Sequence, residues 1–581
     1  MNRQFDALTV ALTGQLTLVL VVAAVLALAF SLFLLRRYRR AVIKSMQRRS
    51  RGDLLEQKGY LPPEEPHKPP EGELIFTFAG SEGREVSAAI KNLLYRQARR
   101  RPWLAAFVYA IAGVCFAASI AVAFLLSAKM ALLPLRFSFM AWAYAWPVAL
   151  TTNLVAATSR RGRMIVLAVY FFCGITLGVF LLERSPDSSA LQLAYLWLNA
   201  NAIPSVLLLF FLNRRIRAVG PLVLVFMIFG AAGAVLLTSF AGSHPKLLRA
   251  ISDFGYSIGL SATGTIWGLH LLGFSIFAVA GWVVVDSLRQ MYEHKMISDQ
   301  TVTIDAVWLL FGIVNSMELV FEGPRWILSG LVAFVIFKLV AGLGFRLLHI
   351  GKRSNAKRLL LLRVFALGRR SESVYNTLGK SWRSVGSIQM IAGPDLVTTT
   401  VEPHEFLDFI SGKLARRFID SGQTLDLRIS QMDLAADGDG RFRVAEFFCH
   451  DDTWKITLSR LADESDAVLM DLRGFSQANA GCVFEIHELF NLVPLERIVF
   501  VIDDSTDQEF MRRTMEQAWH QIKDRSPNRR AGAGRLTLAQ MNGKRAFADL
   551  LYALCAAASG LVARETARQQ NAQADPQDFS W

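Results

Sequence analysis

A single carboxylate near the start of a predicted helix is the residue best placed to do chemistry in this chain. Glu485 lies between two short apolar runs, Ala467–Met470 and Ile498–Ile502, and a polar loop precedes its helical segment Gly481–Leu492. This order is typical of strand, loop, helix and strand in a parallel sheet. Because ligands bind at the carboxyl ends of the strands in such sheets, we expect Glu485 to lie near a ligand.

A carboxylate in this position can stabilise a cationic transition state or capture it covalently as a nucleophile. With Asn479 as the helix cap, Glu485 falls in the second turn, where the helix dipole favours the ionised form. At roughly 100° per residue, Glu485 lies at the border of the buried arc of the helix. The alternative is a surface glutamate that stabilises the helix start.

Four further polar residues follow the predicted strands and are candidate substrate-binding groups. Asp471, Arg473 and Ser476 come after the first apolar run, and Asp503 comes after the second. Since the carboxyl ends of parallel strands meet at one edge of a sheet, we expect these side chains to line the cleft of Glu485 and contact ribose hydroxyls or phosphates. Strand-end aspartates also cap helices and turns, so a purely structural role stays open.

Residues 481–486 (G-C-V-F-E-I) resemble the TIR domain family, in which a Ser-x-Trp-Cys-x-x-Glu-Leu segment opens a helix after the fourth strand. Cys482 and Glu485 match in spacing, whereas Gly481 replaces the tryptophan and Ser476 lies further upstream. The segment is also similar to the Gly-Thr-x-x-Glu stretch of nucleoside deoxyribosyltransferases. The resemblance implies a TIR/flavodoxin-like parallel sheet, Glu485 as the catalytic carboxylate, and NAD or a related nucleotide as a substrate, with no other cofactor.

Other motif-like segments predict little chemistry. Asp437–Glu446 has the carboxylates and glycine of a calcium loop, but Ala435 stands at the first ligand position, so we expect an ordinary turn. Leu378–Ser381 (L-G-K-S) lacks the glycine that a phosphate-binding loop needs four residues earlier. The five cysteines have no metal-ligand spacing. The sequence therefore predicts no metal site.

Most of the remaining chain is apolar. Hydrophobic residues make up 53% of the 581 residues, and runs of about 20 apolar residues, long enough to cross a bilayer, recur before residue 350. The sequence predicts about nine spans. They are Leu8–Leu35, Trp103–Ala128, Phe137–Ala157, Met164–Leu182, Leu191–Leu212, Val219–Phe240, Gly264–Val285, Val307–Phe321 and Trp326–Leu348.

The net charge of +15 is concentrated beside these spans. Basic clusters at 36–40, 99–101, 160–163 and 346–358 alternate with loops that carry few basic residues. This pattern follows the positive-inside rule and does not require a nucleic-acid partner. We expect a multi-pass protein of a bacterial inner (plasma) membrane, with the amino terminus outside, the carboxyl-terminal domain in the cytoplasm, and the lipid bilayer as its partner.

The fold class predicted is an α-helical polytopic membrane domain joined to a cytoplasmic parallel α/β domain. Its divisions are a first anchor (1–35), a cytoplasmic Pro-rich linker with an amphipathic helix (36–102), a bundle of about eight spans (103–350), the α/β domain (351–565) and a polar tail (566–581). In the α/β domain the predicted strands are Leu359–Leu367, Ser387–Ile391, Leu425–Ile429, Ala467–Met470 and Ile498–Ile502. The predicted helices are Ser373–Trp382, His404–Ile419, Thr453–Asp463, Gly481–Leu492, Gln508–Lys523 and Arg545–Val562.

Two functional hypotheses follow. The first is an NAD or nucleotide N-glycosidase that serves as a defence or signalling effector. The second is a non-catalytic signalling scaffold whose α/β domain binds other proteins. A homo-oligomer is a candidate assembly under either hypothesis.

Overall fold

Helices dominate the described part of the chain, together with one all-parallel sheet. The computed structural model describes residues 25–26, 29–46, 72–80, 92–184, 189–211, 220–319, 326, 328–350, 356–363, 369–392, 406, 409–410, 412, 414–432, 434–450, 452–529, 534–542 and 545–560. The chain divides into a helical unit (Met1–Arg40, Ala106–Leu348 and Thr400–Ser411) and a sheet unit (Ala41–Ala105, His349–Thr399 and Gly412–Trp581).

Long apolar helices make up most of the described residues before residue 350. In chain order the helices there are α1 (residues 29–46), α2 (Leu93–Ser127), α3 (Pro134–Tyr144), α4 (Trp146–Val155), α5 (Arg160–Arg184), α6 (Ala190–Phe211), α7 (Gly220–Ser243), α8 (Pro245–Ser257), α9 (Ala262–Glu293), α10 (Asp299–Glu318) and α11 (Ser329–Leu347). Four segments in the described part are long and apolar enough to cross a membrane: α2, α5, Gly264–Glu293 of α9, and α11.

Two of the predicted spans need separate comment. The predicted span Phe137–Ala157 forms two short helices, α3 and α4, which meet at Ala145. Pro147 lies in the first turn of α4, where a missing backbone N–H is tolerated, but the same residue cannot continue a preceding helix. Most of the predicted span Leu8–Leu35 lies outside the described residues.

The pairing of α7 with α9 depends on glycine. A Cβ atom at Gly273 of α9 would lie 2.5 Å from the carbonyl oxygen of Gly233 of α7. Two helices approach this closely only where small residues meet, which is a common way to pack apolar helices in membranes.

Within the described ranges the sheet has eight strands, all parallel, in the spatial order β1-β8-β7-β6-β2-β3-β5-β4. The strands are β1 (Leu74–Phe78), β2 (Lys357–Arg363), β3 (Gly386–Ala392), β4 (Phe418–Ile419), β5 (Val444–Cys449), β6 (Ala467–Asp471), β7 (Ile498–Ile502) and β8 (Gly534–Gln540). The helices of this part are α12 (Arg369–Trp382), α13 (Gly422–Ser430), α14 (Trp454–Asp463), α15 (Ala480–Leu492), α16 (Gln508–His520) and α17 (Ala546–Ser559).

Helices cover both faces of this sheet. Leu360, Val468 and Phe500 face one core with α14, α15 and α16. Leu361 and Val499 face the other core with α12 and α17. Strands buried on both faces become nearly continuous apolar runs, which is why β6 and β7 were visible in the sequence.

Four of the predicted strands are confirmed, and one is wrong. The four are β2, β3, β6 and β7, within a few residues at each end. Leu425–Ile429 alternates apolar and polar residues like a strand but lies in helix α13. Ser421 caps that helix, since its hydroxyl accepts a hydrogen bond from the Thr424 N–H at 3.3 Å.

The outer strands of the sheet were not predicted. The end of the predicted helix His404–Ile419 is wrong, because Leu414–Arg417 forms a 3-10 turn and Phe418–Ile419 forms the short edge strand β4. At the opposite edge, β1 comes from the segment assigned to a linker and pairs in parallel with β8. The Trp519 indole N–H donates to the Gly72 carbonyl at 2.7 Å and so holds the entry to β1.

A second contact fixes the end of α1 to the sheet unit. The Nδ1 atom of His450, directly after β5, lies 2.9 Å from the carbonyl oxygen of Ser45. Its Nε2 atom lies 2.8 Å from the Asp420 carboxylate. Ser45 and β1, which both come from the segment predicted as a linker (36–102), therefore belong to the sheet unit.

We expect Gly386→Ala to destabilise the sheet unit strongly. A Cβ atom there would lie 2.1 Å from the Lys357 carbonyl oxygen, so β2 and β3 would have to separate. Gly481→Ala is the matched control, because a Cβ atom at this helical position meets nothing within 4 Å and alanine favours a helix by up to about 1 kcal/mol. Thermal unfolding of the full chain checks the pair, and an equal melting temperature for both variants would contradict this account.

Candidate functional site

The strand order reverses between β2 and β6, and this reversal marks the candidate site. From β2 the chain continues to β3 on one side, whereas β6 leads to β7 and β8 on the other. In open parallel sheets ligands bind outside the carboxyl ends of the strands at such a switch point. Arg363 and Asp471 are paired in register at the carboxyl ends of these two strands.

A buried ion pair lies at this point. The Arg473 guanidinium donates to Asp471 through Nε at 2.8 Å and through Nη2 at 2.6 Å. The Arg473 backbone N–H also donates to the same carboxylate at 3.2 Å. Burial alone would lower the pKa of Arg473, but the hydrogen bonds and charge of Asp471, together with the charge of Asp503, raise it above its ordinary value. Arg473 therefore stays charged, and its hydrogen bonds to Asp471 fix the loop after β6.

The loop after β7 packs against the loop after β6. Thr506 donates its hydroxyl hydrogen to the Leu472 carbonyl at 3.0 Å, and the same hydroxyl accepts the Asp503 N–H at 3.2 Å. The Asp503 carboxylate accepts the Ser505 N–H at 2.9 Å. The structure thus brings Asp471, Arg473 and Asp503 together at one edge of the sheet. Their role in substrate binding stays a prediction.

Ser476 has a local role at the entry to α15. Its backbone N–H donates to Asn479 Oδ1 at 2.9 Å. Asn479 occupies the cap position, but its side chain makes no capping hydrogen bond to α15. The helix start is instead closed by its carbonyl oxygen, which accepts the Cys482 N–H at 3.0 Å.

Glu485 lies inside the buried face of α15 instead of at its border. The residue is 3% exposed and shares this face with Cys482, Ile486 and Leu489. Burial raises the pKa of its carboxyl group to about 8, although a hydrogen bond with Cys482 opposes the shift. Desolvation outweighs the helix dipole, so the carboxyl group is mostly protonated at neutral pH. Within the described residues its Oε2 atom has no hydrogen-bond partner.

The geometry separates the predicted site residues into two groups. Asp471, Arg473 and Asp503 are joined by charge at the switch point, whereas Glu485 is held by Cys482 in the second turn of the next helix. Arg363 is a further charged residue at this point, which the sequence motifs do not predict. Its signal is a lone arginine that ends the apolar run of β2, which places a cation at the carboxyl edge.

The weaker motifs take ordinary structural roles. Asp437 forms an ion pair with Arg443 at 2.8 Å, and its carbonyl accepts the Gly440 N–H in a tight turn. Leu378–Ser381 lies within α12, where it cannot form a phosphate-binding loop. In the described ranges no group of three or more His, Cys, Asp or Glu side chains is arranged to hold a metal ion.

The fold and site define a class of protein: a chain with membrane-length apolar helices and an all-parallel α/β sheet with a charged switch point. No protein family, curated protein or solved structure matches the chain. The similarity to TIR domains and to nucleoside deoxyribosyltransferases therefore stays a prediction from residues 481–486.

We expect Asp471→Ala to destabilise the sheet unit by about 3–5 kcal/mol, since it removes the carboxylate from a buried guanidinium. The double variant Asp471→Ala/Arg473→Leu should recover part of this loss. Glu516→Ala is the control, because its pair with Arg512 is exposed and such pairs contribute about 1 kcal/mol or less. Thermal unfolding of the full chain measures the stability of all three variants. A loss for Asp471→Ala as small as that for Glu516→Ala would contradict the burial of the pair.

Proposed function

We propose that this chain is a membrane-anchored signalling protein whose sheet unit binds a small ligand of the nucleotide class at the β2–β6 switch point. One observation carries the proposal: the strand order reverses where Arg363, Asp471 and Arg473 meet. Guanidinium groups recognise phosphate oxygens, and carboxylates accept hydrogen bonds from ribose hydroxyls. This edge therefore offers partners for both parts of a nucleotide.

The helical unit is the proposed membrane anchor, in a bacterial inner membrane. Four membrane-length helices support the crossing, and the basic clusters beside them support a cytoplasmic sheet unit and an amino terminus outside. Green fluorescent protein fused to the carboxyl terminus tests the orientation, because it fluoresces in the cytoplasm. A dark fusion, together with an active alkaline phosphatase fusion at the same terminus, would show that the carboxyl terminus lies in the periplasm.

Ligand binding is tested with the full chain in lipid nanodiscs, titrated with NAD, ATP and their mononucleotides. Arg363→Gln should raise the dissociation constant at least tenfold, because it removes about 1.4 kcal/mol or more of charge-assisted hydrogen bonding. Arg358→Gln is the matched control, since Arg358 lies at the amino-terminal end of the same strand, away from the carboxyl ends where the ligand is proposed to bind. Equal affinity in the two variants, or no binding by wild type, would overturn the proposed site.

A second candidate function is cleavage of the N-glycosidic bond of NAD or a related nucleotide, with Glu485 as the reacting carboxyl group. The observation that favours it is a buried carboxyl group with a strongly raised pKa and an Oε2 atom that has no hydrogen-bond partner in the described part. Perturbed carboxyl groups of this kind are concentrated at active sites. The resemblance of residues 481–486 to enzymatic TIR domains points to the same reaction.

Turnover separates the two candidates. Nicotinamide release from NAD is followed for wild type, Glu485→Gln and Glu488→Gln. Glu488 lies on the same helix at a half-buried position, where its carboxylate pairs with Lys523 at 3.8 Å, so it is the matched control. Loss of turnover in Glu485→Gln alone supports catalysis, and unchanged turnover excludes Glu485 from the mechanism. Binding without turnover in wild type supports the non-catalytic signalling protein.

A further inference from the structure

Helix α8 has two chemically different sides. It connects the two long helices α7 and α9. Its sequence, P-K-L-L-R-A-I-S-D-F-G-Y-S, is strongly amphipathic when the residues are placed at roughly 100° intervals around the helix axis. The apolar side consists of Leu247, Leu248, Ile251, Phe254 and the following Ile258, and the polar side consists of Lys246, Arg249, Asp253 and Ser257.

The apolar side is left open by the described chain. Phe254 is 66% exposed and Ile258 is 58% exposed. Burying one such side chain contributes about 1.5–3 kcal/mol, so leaving several of them in water on one short helix is unfavourable. Within the described residues this side of α8 therefore lacks the apolar surroundings that its composition favours.

Packing fixes the direction of this open side. A Cβ atom at Gly255 would lie 2.1 Å from Thr265 Oγ1, so α8 rests directly on the first turns of α9. Trp267 and Leu271 of α9 are also exposed. The apolar side of α8 and the apolar surface of a membrane-length helix are thus held next to each other.

We propose that α8 lies in the interface of the lipid bilayer, parallel to its surface. Its apolar side contacts the acyl chains, and Lys246 and Arg249 contact the phosphate groups of the lipid. Helices with a large apolar side and basic residues opposite bind membranes in this way, and Tyr256 and Trp267 are the residue types enriched at this depth. The inference rests on the proposed membrane crossing of α9, and it makes α8 a lipid-binding element that sets the depth of α7 and α9.

Depth-dependent quenching tests the proposal on the full chain in nanodiscs of phosphatidylethanolamine and phosphatidylglycerol. Cys115 and Cys173 are replaced by serine, while the three buried cysteines remain. An environment-sensitive fluorophore is then attached at Phe254→Cys or at its neighbour Asp253→Cys. We expect lipid-borne nitroxide to quench the label at 254 several-fold more than aqueous iodide does, and the reverse at 253.

A label at Leu271→Cys separates this inference from the proposed membrane crossing. Lipid quenching at 271 with iodide quenching at 254 would overturn the role of α8 while leaving the crossing intact. Iodide quenching at both 254 and 271 would overturn the crossing itself, and the proposal for α8 with it.

Discussion

Replacing Glu485 by glutamine is expected to flatten the pH dependence of the stability of the sheet unit. Burial raises the pKa of this carboxyl group from 4.5 to about 8 in the folded chain. Above pH 4.5 the unfolded chain therefore releases a proton that the folded chain keeps. The stabilisation is full below the unfolded pKa of 4.5 and is lost as the pH rises through the folded pKa of about 8. Each unit of pKa shift corresponds to about 1.4 kcal/mol, so the free energy of unfolding falls by roughly 5 kcal/mol in total over this pH range.

The comparison is made by melting the full chain in detergent micelles at about pH 5, 6.5 and 8. Glutamine stays neutral, so Glu485→Gln should melt close to wild type at the lowest pH and above it at the highest. Glu488→Gln, at a half-buried position of the same helix, is the matched control variant. If the melting temperatures of wild type and Glu485→Gln changed with pH in parallel, the Glu485 carboxyl group would be solvated.

The same titration bears on the second candidate function. A glutamate that acts as a nucleophile must be ionised, so turnover that depends on it should increase as the pH approaches the pKa of about 8. A glutamate that acts as a general acid would give the opposite profile. The direction of the pH profile thus assigns the role of Glu485 once turnover is measured.

The centre of the sheet could be predicted from sequence because its strands are buried on both faces. β6 and β7 are continuous apolar runs, and their order along the chain already indicated a parallel sheet. The carboxyl-edge residues Asp471, Arg473 and Asp503 followed from that order alone. Short elements were less visible, since Leu425–Ile429 has the alternation of a strand but forms a helix capped by Ser421.

Long-range features were beyond the local pattern. β1 joins β8, which is far away in sequence, and nothing in its five residues specifies that partner. The burial of Glu485 depends on where neighbouring helices pack, so a helical wheel placed it at a border. Arg363 acquires its importance only from the reversal of strand order, which depends on the whole topology.

Replacing Lys338 by methionine is expected to destabilise the helical unit by about 3–5 kcal/mol, because it breaks an ion pair that a membrane-crossing α11 holds away from water, where the loss is comparable to that of a buried pair. Nine residues of the 19-residue helix α11 precede Lys338 and nine follow it, so a membrane-crossing α11 places its charge near the bilayer centre. Its Nζ lies 2.6 Å from Asp305 Oδ2 of α10, with the two side chains 36% and 16% exposed. A charge at this depth needs its partner, because water does not solvate it.

A double variant separates charge pairing from packing. Lys338→Met/Asp305→Asn removes both charges and should recover much of the stability lost in Lys338→Met, when both are melted in nanodiscs. The pair between Lys357 and Asp466 in the sheet unit is the control, because the loss of a partly solvated pair costs about 1 kcal/mol or less. If Lys338→Met were as mild as Lys357→Met, the middle of α11 would lie in a polar environment. Its length and composition would then reflect packing within the protein instead of a bilayer crossing.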